Sequence, residues 1–383
     1  MTPSRKLMGV VGGLGAAATG AAATALTMAT RQRRLHRDPY EDEPLGQLPP
    51  DRVSTVAADD GVPLYVEEID PADGGAADVT LIGVHGIAMS VPSWHFQRRD
   101  LAALTLPRVR QVYYDHRGHG QSGPVTAETA TLEQLASDLH SVIRAVAPDG
   151  PIVLMGHSVG GMTIMALAEE QPELFAERVR GVSLIATAAG EVGTRGLPKR
   201  VLSKYSPVSW GVGGIGGIAE WQPEIIEFVR AASGQLTRRA VRRLAFGGDP
   251  GESVVVFLLE LLDVTPVREL VKFIGTVDGH DRYAALAGLK HAEVQVIGGD
   301  ADLILPFSHC ERIADELPDA QLVRVSGSGH VPQLEHPEIV NSYLIDLLQL
   351  ACDTDDKSGG KLGGRVGLRD EALRGLLRRW FPS

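Results

Sequence analysis

Short, nearly continuous apolar runs alternate with amphipathic stretches through the middle of this chain. Val79–Val84 (VTLIGV) and residues 111–114, 152–155, 182–186, 294–297 and 322–325 are too brief for helices, and several show no polar alternation. Runs of that kind are buried on both faces, as the strands of a parallel sheet are when helices cover it above and below. Between two of them, Leu132, Leu135, Ala136, Leu139, Val142, Ile143 and Val146 recur at helical spacing and predict a helix over Leu132–Val146. Residues 162–168 open another. Strand and helix in alternation predict an α/β fold with a doubly wound, mostly parallel sheet. Residues 53–57 and Pro63–Ile69, ahead of the first buried run, suit an antiparallel hairpin at the sheet edge.

The alternation stops between about residues 188 and 290. A Gly-rich run (211–217), scattered Trp210, Trp221 and Phe228, and an apolar helix around residues 254–262 fill that stretch. They read as a helical insertion capping the sheet. The expected organisation is an apolar segment with basic flanks (1–38), a Pro- and acid-rich linker (39–51), the α/β domain with its cap (52–351), and a polar, Gly-rich tail ending in a helix (352–383). In that last helix Leu373, Leu376, Leu377, Trp380 and Phe381 share one face and Arg374, Arg378 and Arg379 lie between them. A basic amphipathic helix suits a membrane surface, and it equally suits docking on the protein itself or on a partner.

Composition changes this picture in two places. The 383 residues carry 37 basic and 48 acidic side chains, a net of −11, yet residues 41–351 alone hold 24 basic and 42 acidic, a net of −18. An acidic body with basic ends argues against nucleic-acid binding, which needs a basic face for the phosphates. Residues 7–30 contain no charge over 24 positions, long enough to span a bilayer, with Arg5 and Lys6 before them and Arg31, Arg33, Arg34 and Arg37 after. Eight Ala, five Gly and four Thr weaken the segment's hydrophobicity. A single membrane anchor is the leading reading; a secretory signal, with an exported body, and a plain Ala-rich helix stay open. The Arg-rich downstream side would be cytoplasmic, and the acidic body with it. Cys310 and Cys352 are too few for a disulfide framework or a thiolate zinc site, and His116 with His119 has no accompanying ligand cluster, so no metal is expected.

Gly156-His157-Ser158-Val159-Gly160 fits G-x-S-x-G, a pattern that is weak alone. Here a buried strand precedes it and a helix follows, the context in which small residues let the chain turn sharply and present the serine above the sheet. A serine hydroxyl needs a base to take its proton, and the base needs an orienting acid. Two later strand ends supply candidates: Asp300 and Asp302 after residues 294–297, and His330 after residues 322–325. All lie at the edge of the sheet where open α/β folds bind ligands. The strand Val79–Val84 ends in His85-Gly86-Ile87. Backbone N–H groups of Ile87 and Val159 are the expected oxyanion donors, worth about 3–4 kcal/mol each in a transition state.

These residues carry a resemblance. His85-Gly86, the run from Asp115 to Ser122 (DHRGHGQS), the Gly156–Gly160 elbow and Gly329-His330, in this order, resemble the α/β-hydrolase superfamily in its branch with an inserted helical cap, over about residues 52–351. The resemblance implies a Ser158, Asp302, His330 triad. In that family the acid stands three residues after a Gly and four before a Pro, as Asp302 does between Gly299 and Pro306, with Asp300 as the fallback. It implies a structural role for the 115–122 turn and no cofactor. Relatives that form alkyl-enzymes place an aspartate at the elbow, so Ser158 points to acyl-enzyme chemistry instead. The expectation is a serine hydrolase of carboxylic esters, lipophilic ones given the apolar cap. A carbon–carbon hydrolase or a perhydrolase-like enzyme would use the same triad, and a non-catalytic binding protein could reuse the fold.

Overall fold

The computed structural model describes residues 38–192 and 237–353. The described residues divide into two compact units, a small one (38–43 with 251–253) and a large one (44–192, 237–250 and 254–353). In the small unit, Asp38 accepts hydrogen bonds from the N–H groups of Tyr40 and Ser253. The stretch 7–30, the Gly-rich run 211–217 with Trp210, Trp221 and Phe228, and the amphipathic segment 373–381 lie outside the described residues. Among the described residues no helix is long and apolar enough to cross a membrane.

The large unit is built on an eight-stranded sheet: β1 (Arg52–Ala57), β2 (Pro63–Ile69), β3 (Val79–Val84), β4 (Val109–Tyr114), β5 (Ile152–His157), β6 (Val179–Ile185), β7 (Glu293–Gly299) and β8 (Gln321–Val325). Their spatial order is β1-β2-β4-β3-β5-β6-β7-β8. β1 pairs with β2, and β2 with β4, antiparallel; every later pairing is parallel. This is the sheet with an edge hairpin that the apolar runs predict. All six residues of β3 and all six of β5 are buried. Successive side chains point to opposite faces, so Val79 and Leu81 enter one core and Ile82 and Val84 the other.

Helices cover both faces. On one lie α1 (His95–Ala102) and, at the end of the domain, α10 (Pro337–Cys352), whose Val340, Leu344, Leu347 and Leu348 pack beneath β6 and β7. On the other lie α2 (Leu132–Val146) and α3 (Val159–Glu170), followed by the short α4 (Pro172–Glu177). α2 has the predicted bounds because its signals agree. Thr131 caps it by accepting the Gln134 N–H at 3.1 Å, Glu133 sits in the first turn, Arg144 in the last, and the predicted apolar face is the buried one.

Between β6 and β7 the described residues contain α5 (Thr237–Ala245), α6 (Glu252–Val264), α7 (Val267–Asp278) and a 3-10 run, Ala284–His291. They occupy the place where the sequence expects a cap. The 3-10 run packs on α3 of the body. Three short helices complete the order: a 3-10 turn at Val91–Trp94, α8 (Ser308–Glu316) and α9 (Pro332–Glu335). The strand order alone already gathers the carboxyl ends of β3, β5, β6, β7 and β8 along one edge.

Candidate active site

Those five strand ends carry His85, Ser158, Thr187, the pair Asp300 and Asp302, and His330. Ser158 has φ 52° and ψ −118°, a conformation that costs a non-glycine residue on the order of 1–3 kcal/mol. Hydrogen bonds to its backbone hold it. Its N–H donates to Ile185 O at 2.9 Å, and its carbonyl accepts from Thr187 Oγ1 at 2.7 Å and from the Gly161 N–H at 3.0 Å. The turn closes only because glycine leaves room: a Cβ on Gly160 would stand 2.0 Å from the Val84 carbonyl oxygen, and one on Gly156 would stand 2.7 Å from the Gly160 carbonyl.

The structure brings three of the predicted side chains into one hydrogen-bonded series. His330 Nδ1 lies 2.8 Å from Asp302 Oδ2, and His330 Nε2 lies 3.2 Å from Ser158 Oγ. A carboxylate only accepts, so the imidazole proton belongs on Nδ1, leaving Nε2 to accept from the serine hydroxyl. The other oxygen of Asp302 accepts the Ile304 and Leu305 N–H groups at 2.8 and 2.9 Å. The carboxylate therefore cannot turn away. Ser158, Asp302 and His330 are all buried, at 6, 5 and 3% exposure, so the series works in a low dielectric where such bonds are strengthened. Asp300 does not join it. Its carboxylate accepts from the Gly327 N–H at 2.7 Å and from Ser326 Oγ at 3.2 Å, tying the two loops together.

Ile87 and Val159 both line the cleft into which Ser158 opens. Val159 is the first residue of α3, where N–H groups lack partners inside the helix and the dipole favours negative charge. Ile87 sits in a turn closed by the Met89 N–H on Gly86 O at 3.2 Å, with Ala88 at φ 61°. A Cβ on Gly86 would lie 2.6 Å from His157 Nδ1, so glycine is required there too. Met89, Met162, Val277, Ile304 and Leu305 give the cleft an apolar wall.

His157 is not a second base. Its Nε2–H donates to the His330 carbonyl at 2.8 Å, and burial, then the neighbouring His330, holds its pKa down at about 3. His85 is buried too and accepts the His116 N–H at 3.0 Å, with its ring 4.5 Å from that of His116. Among the described residues no group of three or more His, Cys, Asp or Glu is arranged to hold a metal ion. Cys310 is buried and unpaired, its thiol pushed up to about 12 chiefly by burial.

The sequence reading did not single out Thr187, which anchors the elbow, nor the cleft wall. For Thr187 a signal existed, since it follows the end of a predicted strand beside the elbow. Met89, Met162, Val277 and Leu305 carried none, because four separate elements contribute them.

A family model described as the alpha/beta hydrolase family matches residues 81–342. An uncharacterized protein of Mycobacterium tuberculosis is 26% identical over 307 residues, 77% of this chain and 79% of that protein. An esterase from Exiguobacterium antarcticum superposes with a TM-score of 0.60 at 17% identity, over 78% of this chain and 100% of the other, a likeness of fold alone. A putative aryl esterase from Burkholderia cenocepacia is 25% identical with a TM-score of 0.58, over 78% and 99%. With the family model spanning well over half of its length, the chain belongs to the alpha/beta hydrolase family and is a hydrolase on that fold.

Proposed function

We propose that this hydrolase cleaves carboxylic esters with a lipophilic acyl or alcohol portion through an acyl-enzyme on Ser158. The observation that carries the reading is the series Ser158–His330–Asp302 opening into an apolar cleft. As Oγ attacks the ester carbonyl, His330 Nε2 takes its proton, and the imidazolium formed faces the fixed Asp302 carboxylate. The carbonyl oxygen becomes an oxyanion beside the N–H groups of Ile87 and Val159. Donors so placed are each worth about 3–4 kcal/mol, because they need not reorganise as charge develops. His330 then returns the proton to the departing alcohol. A water molecule gives its proton to His330 and attacks the acyl-enzyme; the acid leaves and Oγ recovers its proton. Fold neighbours described as esterases lend further support.

Labelling folded protein with a fluorophosphonate and mapping the adduct tests the nucleophile; an adduct absent from Ser158 sinks the reading. Substrate class is tested by an ester panel of increasing acyl length beside a carbon–carbon hydrolase substrate. Each buried methylene is worth about 0.8 kcal/mol, so kcat/KM should rise roughly three- to fourfold per carbon until the cleft is filled. Faster cleavage of the diketone would reassign the chemistry.

The reading extends to a membrane-attached enzyme with its body on the cytoplasmic side. It rests on the 24 uncharged residues 7–30 and their basic flanks. Deleting residues 1–38 should shift the protein from the membrane pellet to the supernatant, and an unchanged partition refutes attachment by this segment.

A further inference from the structure

We infer that Glu335 is a positioning residue, stapling the loop that carries His330 to the returning chain at residues 245–248; the inference rests on His330 being the proton carrier proposed above. Glu335 ends α9, five residues beyond His330. Its Oε2 accepts the Gly329 N–H at 2.7 Å and the Ser328 hydroxyl at 3.2 Å, both from the His330 loop. Its Oε1 accepts the Gly248 N–H at 2.7 Å and the Gly247 N–H at 3.0 Å, both from the chain that leaves α5. One carboxylate therefore collects four donors from two segments about 80 residues apart in sequence.

The two segments touch directly as well. The His330 N–H donates to Ala245 O at 2.8 Å. A Cβ on Gly329 would stand 2.5 Å from that same oxygen, and one on Gly247 would stand 2.5 Å from Gly327 O. Glycine lets the backbones approach this closely, and an ionised carboxylate accepts the N–H groups that the approach brings together. Charge-assisted bonds of this kind are roughly twice as strong as neutral ones. Asp302 sets the direction of the imidazole, whereas Glu335 sets where its backbone stands. A displacement of about 1 Å at a catalytic group costs on the order of 100-fold in rate, so releasing the staple should appear in kcat.

Glu335→Gln keeps one carbonyl acceptor and turns an NH₂ toward the remaining donors; Glu335→Ala removes every acceptor. With active sites counted by fluorophosphonate titration of the full chain, kcat per titrated site on a short ester should fall about 10-fold for Gln and about 100-fold for Ala. KM should stay within about twofold, and amide exchange should quicken in both 245–250 and 326–331. A purely structural role predicts fewer titratable sites and a lower Tm with kcat per site unchanged; that result, or exchange unaltered in either segment, overturns the inference. If Glu335→Ala does not fold, the isosteric Gln variant decides alone. Wild-type protein that takes no label at Ser158 fails earlier and differently: it removes the serine reading, and the role of Glu335 with it, before any variant is made.

Discussion

Two Gly- and His-rich turns leave neighbouring parts of the same sheet edge and serve opposite ends. The turn after β4, Asp115 to Ser122, spends its Asp115 and Arg117 side chains on contacts inside the fold. Arg117 is wholly buried, gripping Asp138 through two bonds of 2.6 Å and Asp60 through a bond of 2.7 Å. Asp115 accepts the Val91 and Gln121 N–H groups at 2.7 and 2.8 Å. The elbow after β5 is also held by hydrogen bonds to its backbone, yet it turns one hydroxyl into a cleft and against His330. Composition does not distinguish a turn closed on itself from one that presents a hydroxyl to a cleft. What distinguishes them is whether a polar group is left facing space that a substrate can enter.

The sharpest way to break this contrast is Ser158→Ala. It should cost on the order of 10⁴–10⁶ in kcat on esters while leaving Tm within a degree or two, because no fold contact depends on the hydroxyl. Most activity surviving would mean that the elbow is the inert turn. Asp302→Asn comes next, at about 10⁴ in kcat, since an amide in place of the carboxylate favours the wrong imidazole tautomer. The measurement is steady-state kinetics on titrated sites, and a loss below tenfold would overturn the orienting role.

In the β4 turn the effects should be on stability alone. Asp138→Asn leaves a buried guanidinium half-paired and should destabilise by about 3–5 kcal/mol in denaturant titration, with kcat per titrated site unchanged. The pH response also falls on stability. Burial holds His116 and His157 at about 3, and His119 and His280 at about 4. In the unfolded chain these groups titrate near about 6.5. Below that pH the unfolded chain binds protons that the native state refuses. Stability is therefore fully present above about pH 6.5 and falls with acidification, by up to about 1.4 kcal/mol per pH unit for each histidine. Asp115, pushed up to about 6 mainly by burial, acts the other way and offsets about one of them between pH 6 and 4. Calorimetry from pH 7.5 to 5 should show a falling Tm, with a shallower slope in His119→Gln; a flat profile would contradict neutral buried histidines. The smallest effect belongs to Asp300→Asn, which should stay within a few-fold of wild type in kcat, because its carboxylate serves the 326–327 loop and not His330.

Much of this was legible beforehand. The strand positions, the α2 helix and the edge hairpin follow from short apolar runs and a helical period that survive without any tertiary knowledge. Of those apolar runs only that of β8 departs from burial on both faces, with Leu322 and Arg324 exposed at the sheet edge. Ser158 and His330 followed from position, each just past a predicted strand. Between Asp300 and Asp302, two residues apart on one strand end, periodicity had nothing to say; the Gly and Pro spacing of relatives chose Asp302, and in the structure it is Asp302 that meets His330. The cleft wall and the Glu335 contacts were not legible: the wall joins α3, α7 and loops from distant parts of the chain, and Glu335 reaches Gly247 and Gly248 across more than 80 residues.

The sequence by itself determined the alternation of strands and helices, hence a parallel sheet whose carboxyl ends share an edge, and it determined that a serine, two aspartates and a histidine stand at those ends. Those are local facts: burial pattern, turn chemistry and chain order. Tertiary structure brought the Asp302 carboxylate to the imidazole, opened the elbow onto a cleft, and chose the side chains that wall it. Such outcomes depend on distances of a few ångströms between elements far apart along the chain, and a hydrogen bond gained or lost over that distance leaves no period in the sequence.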